Sequence, residues 1–254
     1  KASEKEDLLN SIREQFESGS STLSILKKLY PDNIVYSNRK GNYVFADIDP
    51  ALAKTDYSTS GFTRNDNGFM TYSDDKSTKT YTGIDLSRYN SDVDFAKVKA
   101  AGVDFAMIRC GYRAYGSGLL VEDTSFNTYT TNAIKNNIDV GVYFYSQALN
   151  KEEAIEEANY VLTLVKPYNI TYPIAIDVEA IENDSFRQEN LSASELTDVI
   201  IAFCDTIKAA GYTPLIYSNL LYFMDNVELE RLEGYDKWFA GYQTASPYYP
   251  YKYA

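Results

Sequence analysis

Apolar positions along the chain recur with two periods, and the points where one gives way to the other outline the architecture. From Tyr81 onward, short runs rich in β-branched and aromatic residues alternate with longer stretches whose apolar residues return every three or four positions. The runs "TGIDLS", "VDFAMIRCGYR", "IDVGVYFYSQA", "YPIAIDVE", "TPLIYSN" and "KWFAGY" predict strands. Between them, "DFAKVKAAG", "SFNTYTTNAIKNN", "NKEEAIEEANYVLTLV", "SASELTDVIIAFCDTIKAAG" and "NVELERLEGY" predict helices. Asn150 is placed to cap the third of these helices; Ser192 and Glu195 make a capping box for the fourth, and Gly211 follows its end. Strands alternating with covering helices imply a parallel sheet, either open or closed into a barrel.

Before Tyr81 the pattern differs. Lys1 to Tyr30 reads as two amphipathic helices separated by "SGSST", with Leu8, Leu9, Ile12 and Phe16 on one face. "NIVYSNRKGNYVFADI" predicts a hairpin around an Arg-Lys-Gly-Asn turn, and the Ser/Thr/Asn-rich segment from Asp56 to Thr80 predicts loops and a weak strand. The expected organisation is a small α+β accessory region over 1–80 and a (β/α) domain over 81–254.

No G-x-G-x-x-G or phosphate loop follows any strand, which disfavours a nucleotide-binding open sheet. In a barrel, residues at the C-terminal ends of strands form the site. Polar residues stand there repeatedly: Asp85, Arg109, Tyr143, Tyr145, Asp177, Glu179, Tyr217 and Tyr242. The most telling pair is Asp177 and Glu179, at the end of the apolar "YPIAIDVE". Side chains at i and i+2 of a strand share a face, so two acids there repel each other and lose hydration, driving one towards its neutral form. A site that must donate a proton and stabilise positive charge has a use for such a pair.

Composition narrows the chemistry. The 254 residues include no histidine, which removes Ser-His-Asp and Cys-His nucleophiles and His-ligated zinc, so acid-base work falls to carboxylates, Tyr or Lys. The net charge of −12 argues against a nucleic-acid partner. Cys110 and Cys204 form neither a metal-ligand spacing nor a disulfide framework and read as buried thiols. No apolar run approaches the ~18 residues of a membrane span, and the start of the chain shows no signal-peptide core, so any such leader is expected to have been removed or never present. The 24 tyrosines present flat rings with polar rims, which suit sugar faces as well as ordinary surfaces.

Taken together and in order, "GIDLSRYNSDVDFAKVKAAGVDFAMIRCGYR", "NIDVGVYFYSQA", "YPIAIDVE", "AFCDTIKAAGYTPLIYSN" and "WFAGY" resemble the glycoside hydrolase family 25 lysozymes, over about Tyr81 to Tyr253. These are N-acetylmuramidases, which cut the β-1,4 bond between N-acetylmuramic acid and N-acetylglucosamine in peptidoglycan. The resemblance implies a TIM-like (β/α) barrel and a secreted or cell-wall-associated monomer acting on peptidoglycan strands, with no cofactor and no metal. Glu179 would be the general acid, with its pKa raised by burial and by Asp177; Asp177 would be its partner acid and Asp85 a third acid. Tyr143, Tyr217 and Tyr242 match positions lining the sugar groove, and Tyr145 is expected beside them. Arg109 fits either that groove or a barrel-end ion pair, and Trp238 either core packing or sugar stacking. Family members continue past the "WFAGY" strand, whereas this sequence stops at "YYPYKYA", so a barrel incomplete at its C-terminal strands is expected. The rival from another class is a glycan-binding protein that holds the wall without cutting it.

Overall fold

The computed structural model describes residues 2–181, 184–242 and 246–254. Lys1, where the first helix was expected to begin, lies outside them. Two compact units are present, one of residues 1–54 with 249–251 and the other of residues 55–248 with 252–254.

The smaller unit holds helices α1 (Ala2–Glu17) and α2 (Thr22–Leu29) and the antiparallel pair β1 (Asn33–Ser37) and β2 (Tyr43–Asp47). Ser21 caps α2 by accepting from the Ser24 N–H at 3.2 Å, and Gly41 makes the hairpin turn at φ +78°. Ile25, Ile34, Val35 and Tyr36 are buried. The apolar stripe of α1 is not: Leu8, Leu9 and Phe16 are 48, 51 and 50% exposed.

The larger unit opens with a short hairpin, β3 (Phe62–Arg64) and β4 (Met70–Tyr72). It continues as β5 (Gly83–Leu86), α3 (Phe95–Ala100), β6 (Phe105–Arg113), β7 (Leu120–Glu122), α4 (Phe126–Lys135), β8 (Asp139–Tyr145) and α5 (Lys151–Val165). It ends with β9 (Ile174–Asp177), α6 (Ala193–Ala209), β10 (Pro214–Asn219), α7 (Leu220–Asp225) and β11 (Asp236–Ala240). The sheet order is β11-β10-β9-β8-β6-β5, all parallel, and β7 adds to the end of β6 antiparallel. The expected caps are in place: Asn150 accepts from Glu153 N, the Ser192/Glu195 capping box is complete, and Gly211 sits at φ +90°. The expected helix in "NVELERLEGY" is only a 3-10 turn at Leu229–Leu232. Among the described residues no helix is long and apolar enough to cross a membrane.

Alternation along each strand separates two cores. Ile108, Val142, Phe144, Ile174, Ile176 and Ile216 are fully buried, as are Val199, Ile200 and Phe203 on the covering helix α6. Cys110 and Cys204 are buried free thiols. On the concave face, Met107, Tyr143, Ala175 and Leu215 form an inner layer against which Phe105 and Trp238 pack.

The sheet is a curled half-barrel rather than a closed ring. Among the described residues no further strand pairs with β5 or β11, and β11 receives a single backbone hydrogen bond, from Ala254 N to Lys237 O at 2.8 Å. Aromatic side chains gather at this seam instead. Tyr57 and Phe62 pack on Tyr72 at 5.0 and 4.9 Å between ring centres, and Tyr253 lies 5.2 Å from Tyr57 and 6.0 Å from Phe239. A cavity of about 510 Å³ at the seam is lined by Tyr57, Phe62, Tyr72 and Tyr253 together with Gly83 and Asp85 of β5 and Asp236 and Trp238 of β11. Residues 55–80, read from the sequence with the N-terminal region, therefore group with the larger unit. Their polar composition signals loop, but Tyr57, Phe62, Met70 and Tyr72 supply the packing.

Gly141 on β8 marks how closely the inner layer is packed. A Cβ there would lie 2.5 Å from Met107 Sδ and 2.7 Å from the Pro173 carbonyl oxygen. Gly141→Ala is expected to destabilise the protein by roughly 1–3 kcal/mol, as over-packing does. An unchanged denaturant midpoint would show that the layer has slack.

Candidate active site

Register places the candidate side chains in rows. Asp177 of β9 pairs with Tyr145 of β8 on one side and Tyr217 of β10 on the other, and Tyr217 pairs with Trp238 of β11. Residues in register on parallel strands share a face, so Tyr145, Asp177, Tyr217 and Trp238 form one row across four strands. Two residues earlier, Tyr143, Ala175 and Leu215 form the row beneath it. Asp85 enters from β5, and Arg109 from β6 opposite Tyr143.

These side chains surround a cavity of about 410 Å³. Its wall contains every residue singled out from the sequence: Asp85, Arg109, Tyr143, Tyr145, Asp177, Glu179, Tyr217, Trp238 and Tyr242. All its lining residues belong to the larger unit.

The three acids differ in environment. Asp177 is 5% exposed, and among the described residues its buried Oδ1 has no hydrogen-bond partner. Burial, followed by the charges of Glu179 and Asp85, pushes its carboxyl well above the ordinary aspartate range, against the pull of Arg109. The pairing was expected to drive one of the two acids towards its neutral form, and Asp177 is strongly raised. Asp85 is open to water on the cavity side and crowded by protein behind. Burial raises its pKa, while a hydrogen bond from Tyr143 and the Arg109 charge oppose the rise. The Tyr143 phenol is itself pushed up, by burial first and then by Asp85, so it keeps its proton and donates. Glu179 lies just past β9, which ends at Asp177 rather than running on as expected. The segment carrying it is tethered: the Tyr145 hydroxyl donates to the Glu179 carbonyl oxygen at 3.3 Å, and Gln147 Nε2 donates to that hydroxyl at 3.2 Å.

Arg109 does form an ion pair, and its partner is Asp123, with Nε 2.7 Å from Oδ2. Its guanidinium also lies 5.0 and 5.4 Å from the ring centres of Tyr89 and Tyr112. Trp238 joins both readings left open for it. It meets Tyr217 edge-on at 4.6 Å and Tyr143 at 6.1 Å, and it also lines the cavity. Tyr242, 86% exposed, is linked to Tyr217 through a 2.6 Å contact between hydroxyls.

Sequence reading missed Arg88, Tyr89, Tyr112 and Tyr115, which also line the cavity. Tyr112 was hidden by an irregularity. The β6–β8 register shifts between Arg109 and Gly111, which brings Tyr112 opposite Tyr145, where strict alternation from Arg109 would turn it away. Arg88 and Tyr89 follow Asp85 within "IDLSRYN", and their position just past a strand end was the available signal.

A buried ionic cluster adjoins the site through Arg113, which also lines the cavity. Arg113 Nε donates to Glu157 Oε1 at 2.8 Å, and its other nitrogens reach Gly118 O, Glu153 O and Glu156 Oε2. Glu157 also accepts from Ser146 Oγ at 2.6 Å and Gln147 N at 3.3 Å. Burial pushes its carboxyl up to about 7 despite these donors. Arg187 clamps Glu153 through both terminal nitrogens, at 2.9 and 2.7 Å, and binds Gln147 O. The cluster ties together the loops after β6, β8 and β9.

With the geometry in place, comparison with known proteins decides the family. Residues 84–253 match the family described as "Glycosyl hydrolases family 25". The chain belongs to this family. A family 25 chain is thus similar to an autolytic lysozyme of Clostridium acetobutylicum, 23% identical over 65% of this chain and 46% of the relative. It is also similar to an N,O-diacetylmuramidase of Arthroderma benhamiae, 29% identical over 54% of this chain and 57% of the relative. The chain spans about half the length of these relatives. Its fold is shared with the modular autolysin LytC of Streptococcus pneumoniae, at a TM-score of 0.58 and 23% identity over 85% of this chain and 55% of that one. A muramidase from Acremonium alcalophilum gives 0.56 at 23% identity, covering 66% and 80%.

The state of Asp177 can be read from stability. A carboxyl whose native pKa lies above its unfolded value favours folding only at low pH; the advantage is lost as pH rises past about 4, where the unfolded side chain ionises freely. Asp177→Asn is therefore expected to raise the urea midpoint at pH 7 and to leave it nearly unchanged at about pH 3. Equal gains at both values would contradict an Asp177 carboxyl raised by burial.

Proposed function

We propose that the chain is a peptidoglycan muramidase, cleaving the β-1,4 bond between N-acetylmuramic acid and N-acetylglucosamine at the wall outside the cell. The observation that carries this reading is the convergence of Asp85, Asp177 and Glu179 with a row of aromatic side chains in one cavity of a family 25 chain. Glycosidic cleavage requires a proton for the leaving oxygen and negative charge near an oxocarbenium-like centre, and carboxyl groups supply both.

In this mechanism Glu179 protonates the glycosidic oxygen. The 2-acetamido oxygen of the substrate closes on the anomeric carbon as the bond to the leaving group breaks. The unpartnered Oδ1 of Asp177 accepts the acetamido N–H and aligns that group, and the carboxyl stabilises the positive charge that develops on it. Glu179, now a carboxylate, takes a proton from water as the water opens the cyclic intermediate, which returns the acid to its starting form. Asp85, held by Tyr143, positions that water. Two inversions at one carbon leave the configuration retained. Tyr217, Trp238 and Tyr242 offer apolar faces to the sugar rings, as do Tyr143 and Tyr145 deeper in the groove. The ion-paired Arg109 helps to set the field on Asp85 and Asp177.

Glu179→Gln preserves shape and removes the donated proton. Dye release from labelled cell walls is expected to fall by roughly 10²–10⁴-fold, with pull-down on the same walls retained. An active variant would remove Glu179 from the acid role, and a wild type that binds walls without releasing dye would favour a non-catalytic wall binder.

Participation of the acetamido group makes a second demand. Glycans of the same linkage carrying a hydroxyl or free amine at C2 should bind but be cut very poorly. Comparable turnover on such a glycan would sink the assisted mechanism.

A further inference from the structure

The groove is uneven in charge along its length. Towards β10 and β11 its walls are aromatic and uncharged, made by Tyr217, Trp238 and Tyr242. Towards β5 and β6 they carry Asp85 and the cations Arg88, Arg109 and Arg113 among Tyr89, Tyr112 and Tyr115, with Arg113 paired to Glu156 and Glu157. The charge of Arg109 is answered by the buried Asp123. That of Arg88 is not: among the described residues no carboxylate pairs with its guanidinium.

Arg88 is nevertheless held in place. Its Nη1 donates to the Tyr112 hydroxyl at 2.8 Å and its Nη2 to the Tyr89 hydroxyl at 3.1 Å. The guanidinium lies 5.1 and 5.0 Å from the two ring centres. Its backbone N–H is fixed by Asp123 Oδ2 at 3.2 Å. A long exposed side chain ordinarily loses rotamer entropy when it binds a ligand; here much of that ordering precedes binding. The chain as a whole has a net charge of −12, so a fixed and unpaired cation at the mouth of the groove stands against the general trend. Guanidinium is the group best matched to a carboxylate.

Of the two sugars that alternate in peptidoglycan, N-acetylglucosamine is neutral. The muramyl residue carries a lactyl ether that ends in a carboxylate or in a peptide bearing carboxylates. We infer that Arg88, braced by Tyr89 and Tyr112, is the subsite for a carboxylate borne by the muramyl residue. The inference rests on the peptidoglycan reading of the cavity and adds a direction to it. The muramyl sugar lies towards the β5–β6 side, and its neutral neighbour lies over Tyr217, Trp238 and Tyr242.

Binding measured calorimetrically on the full chain tests this without requiring cleavage. The probes are N-acetylmuramic acid, its methyl ester, N-acetylmuramyl-L-alanyl-D-isoglutamine and N-acetylglucosamine. At low salt the wild type should bind a carboxylate-bearing probe about three- to fivefold more tightly than the ester, the range of a partly exposed ion pair. Salt at ~1 M should erase that preference. Arg88→Gln should abolish it, and Arg88→Lys, which keeps the charge, should retain part of it, with both variants unfolding at the wild-type midpoint. Tighter binding of muramic acid than of the dipeptide assigns the lactyl carboxylate; the reverse assigns the peptide carboxylate. Equal affinity of acid and ester in the wild type, or a preference that survives Arg88→Gln, overturns the inference. If none of the sugars binds, the inference and the peptidoglycan reading fall together. If the preference holds but no wall is cut, only the muramidase reading falls.

Discussion

A buried carboxyl group, with one oxygen lacking a partner among the described residues, is the constraint around which the larger unit is arranged. Asp177 cannot move away from it. β9 lies between β8 and β10, the Asp177 carbonyl oxygen accepts from Ser146 N at 2.9 Å, and the next residue, Val178, donates to Tyr217 O at 3.2 Å. Such a group destabilises the fold by its lost hydration, and the surrounding packing must offset that loss. The rest of β9 is wholly buried, and α6 covers it with Leu196, Val199, Ile200 and Phe203. The well-packed face of the sheet holds a poorly satisfied group on the other face.

The Arg113–Glu157 cluster plays the complementary part. It is a buried ion pair surrounded by donors, so its charges are met where those of Asp177 are not. Its value lies less in net stability, which buried pairs seldom provide, than in specifying geometry. Through Gln147 and Tyr145 it leads to the backbone of Glu179, and through Arg187 to the segment beyond. The loops at the C-terminal ends of three strands are thereby held as one body next to the acids.

Much of this was legible in the sequence because the signals were local. Alternation of strand and helix, the caps at Asn150 and Ser192, and the polar strand ends each depend on a few neighbouring residues. The candidate residues met in one cavity because parallel strands end on the same side. What escaped reading depended on tertiary context. The slip in register that turns Tyr112 inward is a matter of backbone pairing, and the loop-like composition of 55–80 hides rings that pack on one another and, through Tyr57, on the distant Tyr253. The raised carboxyl at Asp177 follows from depth beneath the rim, which spacing along a strand does not encode.

The seam between β5 and β11 has a bearing on how such a site can change. In a ring closed by backbone pairing, the circumference is set by strand count and stagger, and the opening can take only a few discrete sizes. Here Asp85 on one margin and Trp238 on the other are spanned by the rings of Tyr57, Phe62, Tyr72 and Tyr253. Ring size and tilt vary almost continuously, so exchanging one aromatic residue for another at the seam would shift the margin that carries Asp85 by fractions of an ångström and leave Asp177 and Glu179, at the middle of the sheet, where they are. Substrate fit at that margin and the chemistry of those two acids are thereby carried by different parts of the chain, and one can drift without disturbing the other.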